Sequence, residues 1–390
     1  MFSTNKNKTV VGLDIEAGSI AATEVRSNGT VEVSGQGVVA LEPGIFREGE
    51  VSDPDALSEA LEQLFAEHKL SRNVRLGIAN QRVAVRTLRL PSIEDQDELE
   101  TAIRFQAQDH IPMPLDQAVL DWQVVGYVTG PDGQRQIDVV AVAARRDMLA
   151  AMMDAMRSAG LRPTGIDHSA FGMLRALQHG EHAAVGAAGY VAAPSALATH
   201  EVPGTGSAAG LDGGSHTGEA SAADPQRAAR LYCNLGDVTN LAVASGSACL
   251  FTRISGFGVE GIAQKLAERR QLGLEHARQW LVHVGLETPA ESVEGDAETI
   301  AATREALDQG AAKLTEELRL SVEFYAAQEG AVPVEAVIAC GPGTTIPGLV
   351  ARLQRGLGHP FQIGRPVALA HLDDAAAARL TLSYGLAVEG

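Results

Sequence analysis

The spacing of apolar positions opens on a buried strand, Val10-Val-Gly-Leu-Asp-Ile15, a small-residue turn, Glu16-Ala-Gly-Ser19, and a second strand, Ile20-Ala-Ala-Thr-Glu-Val25. Asn28-Gly29 is a dipeptide favoured in tight hairpin turns, because both positions need positive φ, and Thr30 to Val39 alternates as a third strand. Asp53 and Pro54 then predict a helix start: the Asp53 carboxylate accepts from a free N–H of the first turn, and proline suits the first helical position. Leu57, Leu61, Leu64 and Phe65 give that helix one apolar face. A strand over 73–79 completes a β-β-β-α-β unit.

The pattern returns late in the chain. Strands over 230–234, 239–244 and 248–254 are separated by the turns Leu235-Gly-Asp237 and Ser245-Gly-Ser247. Helices over 259–268, 274–281 and about 299–329 follow, then a strand over 334–339, the glycine loop Cys340 to Gly348 and a helix to Arg355. Between the two units lies a compact α+β insert. It comprises a strand (83–90), a helix (about 96–110) stopped by Ile111-Pro-Met-Pro114, a β-pair (121–127 and 136–144) around Pro131-Asp-Gly133, and an amphipathic helix (146–159) capped by Gly160. Residues 161–177 return to the first unit through Arg162-Pro163 and an apolar helix. The domain expectation is therefore a first lobe from 1–81 and 161–179, rejoined by about 378–390, an insert subdomain at 82–160, and a second lobe at 230–377.

Composition adds one segment and removes several functions. No Lys or Arg occurs between Arg175 and Arg227, and Ala, Gly, Ser, Thr and Pro dominate, so 180–229 is expected to be a disordered insert unable to offset its ordering entropy. The net charge of −18 disfavours nucleic acid and anionic lipid as partners. The N-terminus lacks a signal-peptide pattern and no apolar run is rich enough to span a bilayer, so direct membrane insertion is not expected. Cys233, Cys249 and Cys340 have no metal-ligand spacing and read as small buried hydrophobes of a reducing compartment.

Two facing meanders, each with a tight polar turn, can grip a polyphosphate from both sides: backbone N–H groups in such turns form anion nests, and a carboxylate beside them can hold hydrated Mg²⁺. Asp14, Gly18 and Ser19 come from the first turn, with Asp14 the candidate for Mg²⁺ through water; Asn234, Gly236 and Thr239 come from the second. Gly341 and Gly343 form a third loop suited to a nucleoside, and Glu317 on the long helix reads either as a ribose contact or as a helix-face charge. Asp167, His168 and Ser169 are adjacent in one segment and cannot take the geometry of a hydrolytic triad; they read as structural caps. Arg145-Arg146 and Arg269-Arg270 read as solvated helix faces, and Phe105 and Trp122 as core.

Gly12-Leu-Asp-Ile15, Asn234-Leu-Gly236 with Thr239, and Ala339-Cys-Gly-Pro-Gly343 resemble the two phosphate motifs and the adenosine motif of the actin/Hsp70/sugar-kinase fold. Leu99 to Pro114 with Val119-Leu-Asp-Trp122, Val140 to Ala144 followed by Ala159-Gly-Leu-Arg-Pro163, Phe251-Thr-Arg253 and the closing Gly385-Leu-Ala387 are similar to the PilM family of type IV pilus assembly proteins, relatives of the division protein FtsA. The resemblance implies an α/β, actin-like (ribonuclease H-like) two-lobed fold with an FtsA/PilM-type insert subdomain. It further implies a cytoplasmic scaffold, peripheral to the inner face of the cell membrane. Such a scaffold binds the N-terminal cytoplasmic peptide of a PilN-like membrane protein beside the insert and links it to other platform and motor proteins, with ATP and Mg²⁺ between the lobes. A homodimer is compatible with this.

The sequence departs from the family where phosphate would sit. Glu16 replaces a glycine, Ala21 stands at the position of a phosphate-binding lysine, Asn234 replaces an aspartate, and Pro342 removes an N–H donor. A carboxylate in a phosphate nest repels its ligand. Partner binding is therefore the function expected to persist, with ATPase activity at most slow; the alternative is an active actin-fold ATPase or small-molecule kinase.

Overall fold

The computed structural model describes residues 8–28, 30–129, 133–178, 183–185, 228–246, 248–328 and 330–388. In chain order, β1 (Lys8–Glu16), β2 (Ser19–Ser27) and β3 (Val31–Ala40) form the first meander, with Ala17 and Gly18 turning between β1 and β2. A short hairpin, β4 (Phe46–Arg47) and β5 (Glu50–Val51), turns through Glu48 and Gly49 at φ 51° and 80°. Helix α1 (Pro54–Glu67) starts as its sequence predicts, with Asp53 accepting the Ala56 N–H at 3.0 Å, and β6 (Asn73–Ile78) follows. Then come β7 (Ala84–Pro91), α2 (Gln96–His110), β8 (Ala118–Thr129), β9 (Arg135–Arg145), α3 (Arg146–Ser158), β10 (Arg162–His168) and α4 (Ser169–Gln178).

The strand β11 (Ala183–Val185) lies inside the stretch expected to be disordered; its three small apolar residues extend a sheet edge antiparallel to β16 (Phe361–Arg365). The rest of that stretch up to residue 227, like Gly29, Pro131, Asp132 and Ser247 of the predicted turns, lies outside the described residues. The second meander is β12 (Ala229–Leu235), β13 (Thr239–Ser245) and β14 (Ala248–Ser255), followed by α5 (Val259–Arg270), α6 (Leu274–Val284), α7 (Ala297–Ala326), β15 (Val334–Cys340), α8 (Leu349–Leu357), β16 and α9 (Asp374–Ala387).

The two halves repeat one topology. The first sheet runs β10-β6-β1-β2-β3, and the second runs β11-β16-β15-β12-β13-β14. Each is an antiparallel meander to which two parallel strands are added beside its first strand. One core underlies each sheet, and a third, built from α4, α9 and the inner faces of β2, β12, β13 and β15, joins them. The insert has its own core beneath a sheet ordered β7-β9-β8, where Leu99, Ile103 and Ala107 of α2 pack on Leu88, Val139 and Ala141. Helix α3 does not belong to that core: Met148, Leu149, Met152 and Met156 are buried with Leu61 and Phe65 in the first lobe. The insert expected to run to residue 160 thus ends structurally with β9. Phe105, read as core, is 68% exposed on α2, whereas Trp122 packs against the insert core.

Candidate functional site

The turns predicted to hold phosphate meet at the junction of the lobes. Asp14 ends up buried because β1 is flanked by β2 and β6 in the middle of its sheet, and Ala17-Gly18 projects beyond the sheet edge. The second turn, Gly236-Asp237-Val238, is held from below by α5: Val259 donates its N–H to Gly236 O at 2.9 Å, and a Cβ on Gly258 would overlap the carbonyls of Gly236 and Asp237. The Ala17 N–H, a nest donor of the first turn, donates to Asp237 Oδ2 of the second at 2.8 Å. Glu16 reaches the other way, and a Cβ on Gly236 would overlap its Oε1. A Cβ on Gly18 would likewise overlap the Arg278 guanidinium of α6, which is paired with Glu260 at 2.6 Å and Glu275 at 3.0 Å. Arg379 of α9 donates to Ser19 Oγ at 3.2 Å and lies beside Glu16.

What remains between the turns is a cavity of about 10 Å³ lined by Asp14, Glu16, Asn234, Asp237 and Asn240 and roofed by Phe46 and Gly49 of the β4–β5 hairpin. That is room for one water. Asn240 is fully buried and neither end of its amide has a protein partner, so it presents the cavity with polar capacity that one water would satisfy. Burial pushes the Asp14 carboxyl up to about 7 and the Asp237 carboxyl up to about 6, and burial with the charge of Asp237 raises Glu16 well above the usual carboxylate range.

The predicted residues divide accordingly. Asp14 and Asn234 line the cavity; Gly18, Ser19 and Gly236 border it but are covered by Arg278, Arg379 and Glu16. The hydroxyl of Thr239 donates to Phe257 O at 2.7 Å, an interior contact. Gly341, at φ 86°, packs on Asn234, and Gly343 packs on Leu235. Glu317 pairs with Arg253 on the edge strand β14 at 3.5 Å and is not part of the cavity lining. Among the described residues, no three His, Cys, Asp or Glu side chains are placed to hold a metal ion together. Sites for small molecules are typically ~300–1,000 Å³, so this closed arrangement leaves no room for ATP with Mg²⁺. Sequence reasoning read Asp237 only as a turn residue and missed Arg278, Arg379 and Asn240. The adjacent polar pair Thr239-Asn240 in an apolar strand was a usable signal; the arginines, distant in sequence, left none.

A second concavity, of about 380 Å³, lies where the insert joins the first lobe, lined by Gln81, Arg82, Ala84, Pro112 to Pro114, Gln117 and Arg145. Its wall follows from the sequence after α2. Ile111 is buried in the insert core, and the chain bends at Pro112, where the Met113 N–H donates to Ile111 O at 2.8 Å; Met113 packs against the insert core and also lines the groove. Arg82 pairs with Glu50 at 2.6 Å, and Arg145 pairs with Asp147.

Residues 12–187 match the family model described as type IV pilus assembly protein PilM. That segment is similar to PilM. Over 97% of its length the chain superposes on 97% of a chain of the solved PilM-PilN type IV pilus biogenesis complex, with a TM-score of 0.73 and 23% identity, which shows the actin-like two-lobed fold. More remote are the ethanolamine utilization protein EutJ from Carboxydothermus hydrogenoformans (TM-score 0.48, 12% identity, 98% and 90% of the two chains) and MreB5 of Spiroplasma citri bound to ADP (0.47, 10%, 97% and 94%). The PilM match takes in the first phosphate turn and the entire groove. No helix among the described residues is long and apolar enough to cross a membrane.

Proposed function

We propose that the chain is a scaffold of type IV pilus assembly. In this reading it binds the short cytoplasmic N-terminal peptide of a PilN-like membrane protein in the groove at Pro112 to Pro114. The protein is then cytoplasmic and held at the inner face of the membrane by that partner, with other platform and motor proteins as further contacts. The observation that carries the reading is a preformed groove on the matched segment, apolar along Pro112, Met113 and Ala84 and polar at Arg82 and Arg145. That mixture suits a peptide whose apolar side chains bury while its backbone and polar groups meet the arginines. Catalysis is not part of the proposal, because the interlobe cleft has no room for nucleotide and its carboxylates bond to the opposite turn or face it.

The test is an anisotropy titration of a labelled synthetic peptide carrying the first cytoplasmic residues of the PilN-like partner. Met113→Glu sets an unpaired carboxylate against the apolar wall, and binding is expected to weaken by more than about tenfold. Equal binding by wild type and variant, or none by wild type, would refute the groove as the site.

A further inference from the structure

We infer that the Glu16 and Asp237 carboxyl groups are resident occupants of the interlobe cleft, each lobe using the phosphate-binding turn of the other, so that this chain is shut by its own side chains and nucleotide enters only by displacing them. The inference concerns the cleft alone and rests on the actin-like fold, not on the peptide groove.

The argument runs through four contacts. A polyphosphate in a cleft between two such turns is bound by backbone N–H groups of both and by nearby cations. Here the free N–H of the first turn, at Ala17, is taken by the Asp237 carboxylate of the second. The space over Gly236, open because glycine lacks a side chain, is taken by the Glu16 carboxylate of the first. The two cations that approach the first turn already have acidic neighbours: Arg278 is bidentate to Glu260 and also bonded to Glu275, and Arg379 lies against Ser19 and Glu16. The arrangement is reciprocal across the lobes and leaves space for one water, as expected of a closed state with built-in ligands.

Glu16 makes the device testable, since a glycine there both removes the carboxyl group and uncovers Gly236. Titration of MgATP by calorimetry is expected to give binding at least tenfold tighter for Glu16→Gly than for wild type, and tighter still for Glu16→Gly with Asp237→Ala. Equal affinity for wild type and both variants would overturn the inference. Hydrogen exchange on the unmutated protein guards against misfolding of the variants. Amides 16–19 and 236–238 are expected to exchange slowly, with no further protection from millimolar MgATP. Fast exchange, or strong protection by MgATP, would equally overturn it. Peptide binding measured on the same samples separates the outcomes, because loss of the groove reading leaves the nucleotide result untouched.

Discussion

His168 ends β10, is buried, and accepts the Ala170 N–H through Nδ1 at 3.0 Å, which requires that nitrogen to carry no proton. It caps the start of α4, while Asp167 pairs with Arg175, so the three adjacent residues serve structure and not a triad. Burial depresses the imidazole to about 4 from an ordinary 6.5. Its contribution is therefore complete above pH 6.5 and is lost as pH falls towards 4. The cleft carboxylates carry the opposite sign. Native Asp237 keeps its proton up to about 6, whereas the unfolded chain releases it near 3.8, so stability from this group declines as pH rises between those values. Asp237→Asn cannot ionise, and its unfolding free energy relative to wild type should rise by at most about 1.4 kcal/mol per pH unit across that window. Denaturant titrations at several pH values check this, and only the slope of the difference matters; a flat difference would contradict the buried proton. These residues show what a sequence discloses at this scale. Gly18 and Gly236 are legible as turn positions because tight turns need particular residue types, whereas Asp14 lies within β1. The use of Thr239 inside the fold is not, because its acceptor, Phe257 O, lies in another loop.

Elements with a local signature are where the hydrophobic pattern puts them: both meanders, the Asp53-capped helix and the Ile-Pro-Met-Pro stop. Those without one needed the tertiary structure. Strand β10 begins with Arg162-Pro163 and shifts register before Gly165, which hides it from any alternation rule, and a proline is tolerated there because the strand is a sheet edge. Helix α9 is buried from several directions, so no single apolar stripe marks it. Gly12 of β1 admits its backbone, and Gly385 lies against the carbonyl of Gly172 in α4. Its last carbonyls are capped from elsewhere, by Arg75 donating to Leu386 O and Val388 O at 3.2 and 3.1 Å and by Arg175 donating to Gly385 O at 3.0 Å. Gly385-Leu-Ala387 is thus the end of a helix that packs against both lobes. Gly385→Ala gains about 1 kcal/mol in helix propensity but drives a methyl into that carbonyl. The expected net result is destabilisation of about 1–3 kcal/mol, as for overpacked cores. Chemical denaturation measures it, and an unchanged or raised midpoint would show that α4 and α9 separate freely.

At the scale of the whole molecule, two sheets of one topology are joined through a core that α4 and α9 share, and the groove and the cleft open from different parts of it. They have a structural link. The groove is bounded by Gln81 and Arg82, which follow β6; Arg82 pairs with Glu50 of the hairpin whose Phe46 and Gly49 roof the cleft, and Asn80 ties that hairpin to β6 by donating to Glu48 O at 2.7 Å. Opening the lobes would move this hairpin and with it one wall of the groove. A ligand couples to a second site only through a differential affinity for the two arrangements. In wild type, closed by Glu16 and Asp237, MgATP has no access to the alternative arrangement, so the affinity for the PilN-like peptide is expected to change less than about twofold with millimolar MgATP. In Glu16→Gly the same addition should shift it by about fivefold or more, the lower end of ordinary allosteric coupling. Peptide titrations with and without MgATP decide the matter. An equal shift in both proteins would mean that nucleotide reaches the wild-type cleft, and no shift in a variant shown to bind MgATP would mean that the hairpin does not carry motion from cleft to groove.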